Sequence, residues 1–280
     1  MSDYTLAPKR SNKLNMYIIY LERLSDRLQL FYEKNKGIVD KVNMIPIKGV
    51  DGEEFIKNYD IKHLQPTNGQ LGCFLSHQNV WRIIANSKNN DVSFIVEDDA
   101  IIDVNLFRDL PKIFNTIDKY DSGNTLNETY KPDIGTIDVI SSSKYTVTKD
   151  PMATPTYFPL YKPIIVMLSR SSSRDKNIYI DTISSYNDEI VVELITSRFT
   201  CTHFYILNKE GAKVLLNNNF DAYGSTAVDA IMSDSKNIYG ILLNKDLMGY
   251  SGLVPRDTTT GMTYIQHVDK YKSIIRNFFF

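Results

Sequence analysis

Three short apolar runs near the start of the chain constrain its fold more than any other feature. They cover residues 16–21, 41–50 and 91–97, each carries β-branched residues, and the first is apolar on both faces. A strand of that kind belongs at the centre of a sheet that is covered on both sides. Because a helical pattern separates the first two runs, the order strand, helix, strand predicts a parallel α/β sheet flanked by helices.

The rest of the chain continues this alternation of predicted strands and helices. Residues 68–86 carry the strongest helical signal, since their apolar side chains recur at spacings of three and four. Further strands are predicted at residues 134–140, 190–194, 200–207 and 238–243, and further helices at residues 209–216 and 227–233. Ser25 or Asp26 is expected to cap the helix that follows the first strand. Residues 120–131 are expected to form a loop, and residues 169–177 either a solvated connection or a lid over a charged ligand.

Length and composition set the domain plan. A chain of 280 residues with 42% hydrophobic composition can bury one sizeable core or two small ones. We expect a flexible tail at residues 1–13 and one main domain at residues 14–252. Residues 253–280 form a C-terminal extension whose closing phenylalanines are expected to dock on the domain or on a second copy of the chain.

Charge and cysteine content exclude several classes of protein. The 32 basic and 33 acidic residues leave a net charge of −1, which argues against a protein that coats nucleic acid or an anionic membrane. The first residues are polar and the apolar runs are shorter than the roughly 18 residues of a membrane span. A cytoplasmic protein without a transmembrane span is therefore expected. The two cysteines, Cys73 and Cys201, are expected to be small buried residues.

The most informative motif is the acidic triplet Glu97-Asp98-Asp99 at the end of an apolar strand. Three adjacent carboxylates repel one another and are costly to desolvate, so a bound cation is an economical explanation. Alternation along a strand would place Glu97 and Asp99 on one side. Oxygen ligands suit Mn²⁺ or Mg²⁺, and open α/β sheets bind ligands at the carboxyl ends of strands. A solvated turn without a ligand is the simpler alternative.

Other candidate residues follow the first two strands and lie on the long helix. Arg23 and Arg27 come after the first strand and could contact a diphosphate, or could be ordinary surface charges. Asp51 could accept hydrogen bonds from a ribose or a base, or simply close a turn. His77 is a further candidate for ligand binding, although a hydrogen-bonded core histidine is the commoner finding at such a place.

The order of these blocks resembles glycosyltransferase family 25, which includes bacterial lipooligosaccharide galactosyltransferases and the transferase domains that glycosylate collagen hydroxylysine. The blocks that carry the resemblance are residues 18–27 (IIYLERLSDR), Gly49-Val50-Asp51-Gly52, residues 72–77 (GCFLSH) with Trp81, residues 94–99 (FIVEDD) with Asp103, residues 205–207 with Gly211-Ala212, and Val228-Asp229.

The resemblance implies a fold and a reaction. It implies a GT-A-like single domain with a Rossmann-like, mainly parallel sheet and one active site. It also implies a UDP-sugar donor, Mn²⁺ or Mg²⁺ bridging the diphosphate, and inversion at the sugar C1. The transferred hexose would be galactose or glucose, and the acceptor would be a hydroxyl group of a glycan or of a protein.

Each candidate residue then receives a predicted role. Glu97 and Asp99 are predicted to bind the metal and the sugar donor, with Asp98 as the alternate ligand. Asp229 is the predicted catalytic base, because it is an acid at the start of a late helix and matches the family's Val-Asp pair. Asp221 and Asp234 lie close by in the sequence and are alternatives for that role.

Two other functions stay open from the sequence. The chain could be an inactive module that binds a sugar nucleotide or a glycan without turning it over. It could also be a metal-dependent phosphohydrolase, because clustered acids serve both reactions.

Overall fold

The computed structural model of the protein describes residues 13–59, 68–88, 92–123, 163–168, 178–184, 189–194, 202–217, 228–233, 235, 239–245 and 251–253. The helices of this part, α1 to α6 in chain order, are Ser25–Lys34, Gly52–Tyr59, Asn68–Ala85, Leu106–Gly123, Lys209–Asn217 and Val228–Ser233. The strands, β1 to β10, are Leu14–Tyr20, Val42–Lys48, Ser93–Glu97, Ala100–Ile102, Ile164–Met167, Ile178–Ser184, Glu189–Leu194, Phe204–Leu207, Tyr239–Lys245 and Ser251–Leu253.

Eight of the strands form one open sheet in the order β2-β1-β3-β8-β5-β9-β7-β6. β1 pairs in parallel with β2 on one side and with β3 on the other, as the opening strand–helix–strand pattern predicts. The predicted strands at residues 41–50 and 91–97, and the predicted helix at residues 68–86, are confirmed within a few residues at their ends. The described residues therefore form a mixed α/β domain.

The expectation of a mainly parallel sheet is wrong. Besides the two pairings of β1, β5 and β9 are parallel, but β3–β8, β5–β8, β7–β9 and β6–β7 are antiparallel. One cause is visible in the sequence, because only residues 185–188 separate β6 from β7. A parallel pair needs a crossover of a dozen or more residues, so these two strands must pair antiparallel.

The sheet is covered on both faces, as the apolar strands require. Met16 and Ile18 of β1 pack with α1 and α4 on one face, whereas Tyr17 and Ile19 pack with α3, α5 and α6 on the other. Successive strand side chains point to opposite faces, so a strand buried on both sides is apolar throughout. We call these the α1 face and the α3 face of the sheet.

Several local predictions need correction. Ser25 and Asp26 lie inside α1, which follows a 3₁₀ turn at Glu22–Leu24 and has no side-chain cap on its first N–H groups. The loop expected at residues 120–131 begins late, because α4 continues to Gly123. Its remainder lies outside the described residues, as do the predicted strand at residues 134–140 and the connection at residues 169–177.

The two ends of the chain fall mostly outside the described residues. Residues 1–12 and 254–280, which hold the predicted tail and extension, are not covered. Leu253, at the predicted boundary, belongs to β10 and pairs with Ala100 of β4. Among the helices that the structure describes, none combines the length and hydropathy needed to cross a membrane.

Candidate functional site

A cleft lies at the carboxyl ends of β1 and β3. From β1 the chain first adds β2 on one side of the sheet and later adds β3 on the other side. Open α/β sheets bind ligands at this kind of topological switch point. The ends of both strands line the cleft, together with the turn after β2 and the first half of α3.

Six residues proposed from sequence to bind the sugar donor all line this cleft: Arg23, Arg27, Asp51, His77, Glu97 and Asp98. Asp99 and Asp229, the predicted metal ligand and base, are not among the residues that line it. The fold thus gathers the candidate binding residues in one place, and their roles in binding stay predictions.

The acidic triplet is divided between two surroundings. β3 ends at Glu97, and Asp98 and Asp99 lie in the turn before β4. The strand alternation expected to bring Glu97 and Asp99 to one side therefore does not extend to Asp99. Glu97 contacts His77 of α3, whereas Asp98 and Asp99 pair with Arg27 of α1.

A chain of hydrogen bonds runs from the core of the α3 face to Glu97. The indole N–H of Trp81 donates to the Tyr205 hydroxyl at 2.9 Å, and this hydroxyl lies 2.8 Å from His77 Nδ1. His77 Nε2 lies 3.4 Å from Glu97 Oε1. Because the indole can only donate, we assign Tyr205 as donor to Nδ1 and Nε2–H as donor to Glu97.

Glu97 is consequently supplied with hydrogen-bond donors. Burial acts to raise the pKa of its carboxyl group, but the hydrogen bond and charge of His77, with the charges of His203 and Arg27, hold that pKa below its usual value. The Thr202 hydroxyl donates to Oε1 at 3.3 Å. Glu97 is therefore an ionised and oriented carboxylate at neutral pH.

Beside α1, by contrast, carboxyl groups outnumber the cation that pairs with them. Arg27 Nη2 lies 2.5 Å from Asp98 Oδ1 and 3.4 Å from Asp99 Oδ2, so one guanidinium serves two carboxyl groups. Burial raises the pKa of Asp98 to about 7; Arg27 acts to lower it, and the charges of Asp99 and Glu97 raise it further. Burial also raises the pKa of Asp99. Within the described residues, two carboxyl groups therefore share the charge of one guanidinium.

Three buried polar atoms of the α1-face group have no hydrogen-bond partner in the described part of the chain: Arg27 Nε, Asp98 Oδ2 and Asp99 Oδ1. Leaving such an atom unpaired costs about 1–3 kcal/mol, and more for a charged group. A divalent cation at the two oxygens would supply the missing partner and neutralise the excess charge. Ligands made only of oxygen are those that Mg²⁺ and Mn²⁺ prefer.

Asp51 has a structural role at the rim of the cleft. Its Oδ1 accepts a hydrogen bond from the backbone N–H of Glu53 at 3.0 Å and so caps α2, while its Oδ2 lies 2.5 Å from Arg23 Nε. Burial acts to raise the pKa of Asp51, but Arg23 and the backbone N–H groups hold it below its usual value. The side chain of Arg23 is 41% exposed at this rim.

The sequence GCFLSH places α3 against the turn after β2. A Cβ atom on Gly72 would lie 2.6 Å from the Val50 carbonyl oxygen, so a larger residue could not approach so closely. Ser76 accepts a hydrogen bond from the Val50 N–H at 2.8 Å and donates one to the Gly72 carbonyl at 2.6 Å. The next positions, Cys73 and His77, are one helical turn apart and both line the cleft.

Of the two cysteines predicted to be small buried residues, Cys201 lies outside the described residues, and Cys73 is half-buried, packs against the core of the α3 face and also lines the cleft. Its sulfur, a His77 ring nitrogen and a Glu97 carboxylate oxygen all lie within 4.8 Å of one another. Burial raises the pKa of the Cys73 thiol well above its usual value, and the charges of Glu97, Asp229 and Asp99 add to this effect. The Cys-x-x-x-His spacing was the signal in the sequence that could have identified it.

Asp229 lies in the first turn of α6, which packs against α3. The neighbouring Val228 packs in the core of the α3 face, and the charge of Asp229 acts on the Cys73 thiol. The alternative bases Asp221 and Asp234 lie outside the described residues.

Comparison with known proteins gives the family of the chain. The family model for glycosyltransferase family 25 (LPS biosynthesis protein) matches residues 13–232. Procollagen galactosyltransferase 1 of Danio rerio is 31% identical over 134 residues, and procollagen galactosyltransferase 2 of Mus musculus is 27% identical over 136 residues. These alignments cover 40% and 41% of this chain and 21% of each relative, so the chain spans about a fifth of their length. Because the family model matches well over half of the sequence, the chain belongs to glycosyltransferase family 25.

Proposed function

We propose that the chain is a metal-dependent, inverting glycosyltransferase of GT-A type that moves a hexose from a UDP-sugar to a hydroxyl group. The acceptor is the hydroxyl of a glycan or of a protein hydroxylysine. Among hexoses, the names of the two procollagen galactosyltransferases favour galactose over glucose.

The observation that carries this proposal is the deficit of positive charge beside the cleft. Asp98 and Asp99 share one arginine, and each has a buried carboxylate oxygen without a hydrogen-bond partner in the described residues. The deficit lies where an α/β sheet binds nucleotides. A Mn²⁺ ion carried together with a diphosphate would satisfy both oxygens.

The residues present fit such an ion. Asp99 and its neighbour Asp98 would hold it through oxygen, and Glu97 would stand beside them as an ionised carboxylate directed by His77. A bound metal would neutralise the charge that develops on the leaving diphosphate.

The arginines of the cleft provide the second source of positive charge. Arg23 lies at the exposed rim of the cleft, with its Nε 2.5 Å from Asp51 Oδ2, and its guanidinium would contact a phosphate bound there. Arg27 is held between Asp98 and Asp99, so its charge is fixed before any ligand arrives. Groups that are fixed in advance stabilise a transition state without reorganisation.

Transfer with inversion needs one base. The acceptor hydroxyl attacks the sugar C1 while the bond from C1 to the UDP oxygen breaks, and its proton passes to a carboxylate. We assign this role to Asp229, which lies in the first turn of α6, the helix that packs against α3.

Replacement of Asp99 by alanine tests the metal assignment. We expect turnover to fall by at least about 100-fold, since a catalytic metal contributes several kcal/mol to the transition state. Turnover and Mn²⁺-dependent UDP binding should be measured together. Asp26→Ala is the matched control, because it removes an exposed acid one residue before Arg27. Unchanged turnover in Asp99→Ala would reject the assignment.

Replacement of Asp229 by asparagine tests the base. We expect donor binding to be retained and turnover to fall by roughly 10²–10⁴-fold. Asp221→Asn and Asp234→Asn serve as parallel variants, and a comparable loss in either one instead would transfer the role to it.

Transfer to a panel of acceptors separates a transferase from an inactive binding module, and phosphate release from an aryl phosphate would favour a phosphohydrolase.

A further inference from the structure

The α3 side of the cleft holds a second set of metal-binding atoms, different in chemistry from the aspartates. It consists of the Cys73 sulfur, a His77 ring nitrogen and a Glu97 oxygen, all within 4.8 Å of one another. Two of these residues are one turn apart on α3 and the third ends β3, so two rigid elements position the set. All three line the cleft.

From this geometry we propose that Cys73, His77 and Glu97 form a binding site for a thiophilic divalent cation, with Zn²⁺ as the best match. Sulfur, imidazole and one carboxylate are ligands that Zn²⁺ accepts, whereas Mg²⁺ and Mn²⁺ favour oxygen. Three protein ligands with an open fourth position are typical of zinc sites that keep contact with solvent or substrate.

The distances are close to those of a tetrahedral site. Bonds of 2.0–2.3 Å place neighbouring ligand atoms about 3.4 Å apart, and the His77 Nε2 to Glu97 Oε1 distance is 3.4 Å. The Cys73 sulfur lies within 4.8 Å of a His77 ring nitrogen and of a Glu97 carboxylate oxygen, so each of these separations has to shorten by at most about 1.4 Å. On binding, the Cys73 thiol gives its proton to solvent and a metal–sulfur bond forms.

A hydrogen-bond partner behind the histidine is already present. Zinc-ligating histidines usually donate their second ring N–H to an acceptor that fixes the ring. The Tyr205 hydroxyl lies 2.8 Å from His77 Nδ1, and its oxygen has a second lone pair besides the one that accepts from Trp81. On metal binding, the ring proton would move from Nε2 to Nδ1 and the Tyr205 hydroxyl would turn to accept it, which leaves Nε2 for the metal.

This site is separate from the Asp98–Asp99 pair and does not rest on the proposed function. Asp98 lines the same cleft, but the two groups differ in ligand type: sulfur, nitrogen and one carboxylate form this site, and two aspartates form the other. A thiophilic ion should bind here in the absence of any nucleotide, whereas the proposed Mn²⁺ site is tested by UDP binding.

Cobalt(II), a spectroscopic substitute for zinc, tests the proposal directly. Co²⁺ added to the metal-free full chain should produce a thiolate-to-metal charge-transfer band in the near ultraviolet, and stoichiometric Zn²⁺ should abolish it. Cys73→Ser should remove the band and weaken Zn²⁺ binding in calorimetry by more than the 10–100-fold expected from losing an outer partner. Cys201→Ser is the matched control and should keep both signals, as should Asp99→Asn.

Thermal melting of each variant establishes that it is folded. The proposal is overturned if the folded wild-type chain gives no charge-transfer band, or if Cys201→Ser removes the band and Cys73→Ser does not. A normal cobalt spectrum in a chain that fails to bind UDP with Mn²⁺ would reject the proposed function and leave this site intact.

Discussion

Neighbouring acids at the end of β3 have opposite surroundings beside α3 and beside α1. On the α3 face, Glu97 receives hydrogen bonds from His77 and Thr202, and its pKa lies below the usual value. On the α1 face, Asp98 and Asp99 share Arg27, retain unpaired oxygens, and have raised pKa values. One step along the backbone separates a satisfied carboxylate from two unsatisfied ones.

The difference indicates which acids await a ligand. A carboxylate with enough donors is already stabilised by the protein, so a cation adds little to it unless stronger ligands stand beside it. A pair of carboxylates with too few donors is destabilised until a cation arrives. The α1 face therefore suits a hard cation that comes with a substrate, and the α3 face suits an ion that sulfur and nitrogen attract.

Replacement of Arg27 should destabilise the chain more than any other change considered. Arg27→Met leaves two buried carboxyl groups without their shared cation, which should lower the free energy of unfolding by about 3–5 kcal/mol at neutral pH. Urea denaturation with a chelator present measures it. Arg23→Met is the matched control and should cost about 1 kcal/mol or less, since the Arg23 pair is more exposed. Equal losses in both variants would contradict the distinction.

The next effect concerns pH. Because the folded-state pKa of Asp98 is raised to about 7, the folded chain holds this proton between about pH 4 and pH 7 while the unfolded chain releases it. This group therefore lowers stability as pH rises through that window. In Asp98→Asn the penalty is absent, so its stability relative to wild type should increase from pH 4 to pH 8 by up to about 4 kcal/mol. A stability difference independent of pH would show that Asp98 is ionised throughout.

Removal of one hydroxyl group on the α3 face should have a smaller effect on stability. Tyr205→Phe removes the hydroxyl shared by Trp81 and His77, and leaving these buried groups without it should cost about 1–3 kcal/mol. Tyr17→Phe is a control on the same face, where the hydroxyl bonds the side chain of Asn15 in its own strand. A loss in Tyr205→Phe no larger than that of Tyr17→Phe would mean that the chain of hydrogen bonds does not hold Glu97.

Local sequence patterns predicted the first half of the fold well. The runs that became β1 and β3 are buried on both faces because helices cover both sides, whereas β2 lies at the edge of the sheet and exposes Asn43, Pro46 and Lys48. The periodicity of α3 is long enough to be unambiguous. α4 was missed although Leu106, Leu110 and Ile113 have helical spacing, and Pro111 lies within the helix. The antiparallel pairing of β3 with β8 joins segments far apart in sequence, so no local pattern records it.

The sequence predicted which residues belong to the candidate site better than it predicted how they are arranged. The residues at the ends of β1, β2 and β3 meet because parallel strands end at one edge, which is a general property of the fold. The division of Glu97 from Asp98 depends on the exact residue at which β3 ends, and sequence patterns leave that uncertain by a residue or more. The contribution of Cys73 required the position of α3 relative to that strand end.

Calorimetry of UDP binding to the folded chain, with Mn²⁺ and with a chelator, tests the central claim most directly. We expect binding that requires the ion, that Asp99→Ala abolishes and that Asp26→Ala retains. Binding of equal strength with and without Mn²⁺, or no binding of any uridine nucleotide in either condition, would contradict it.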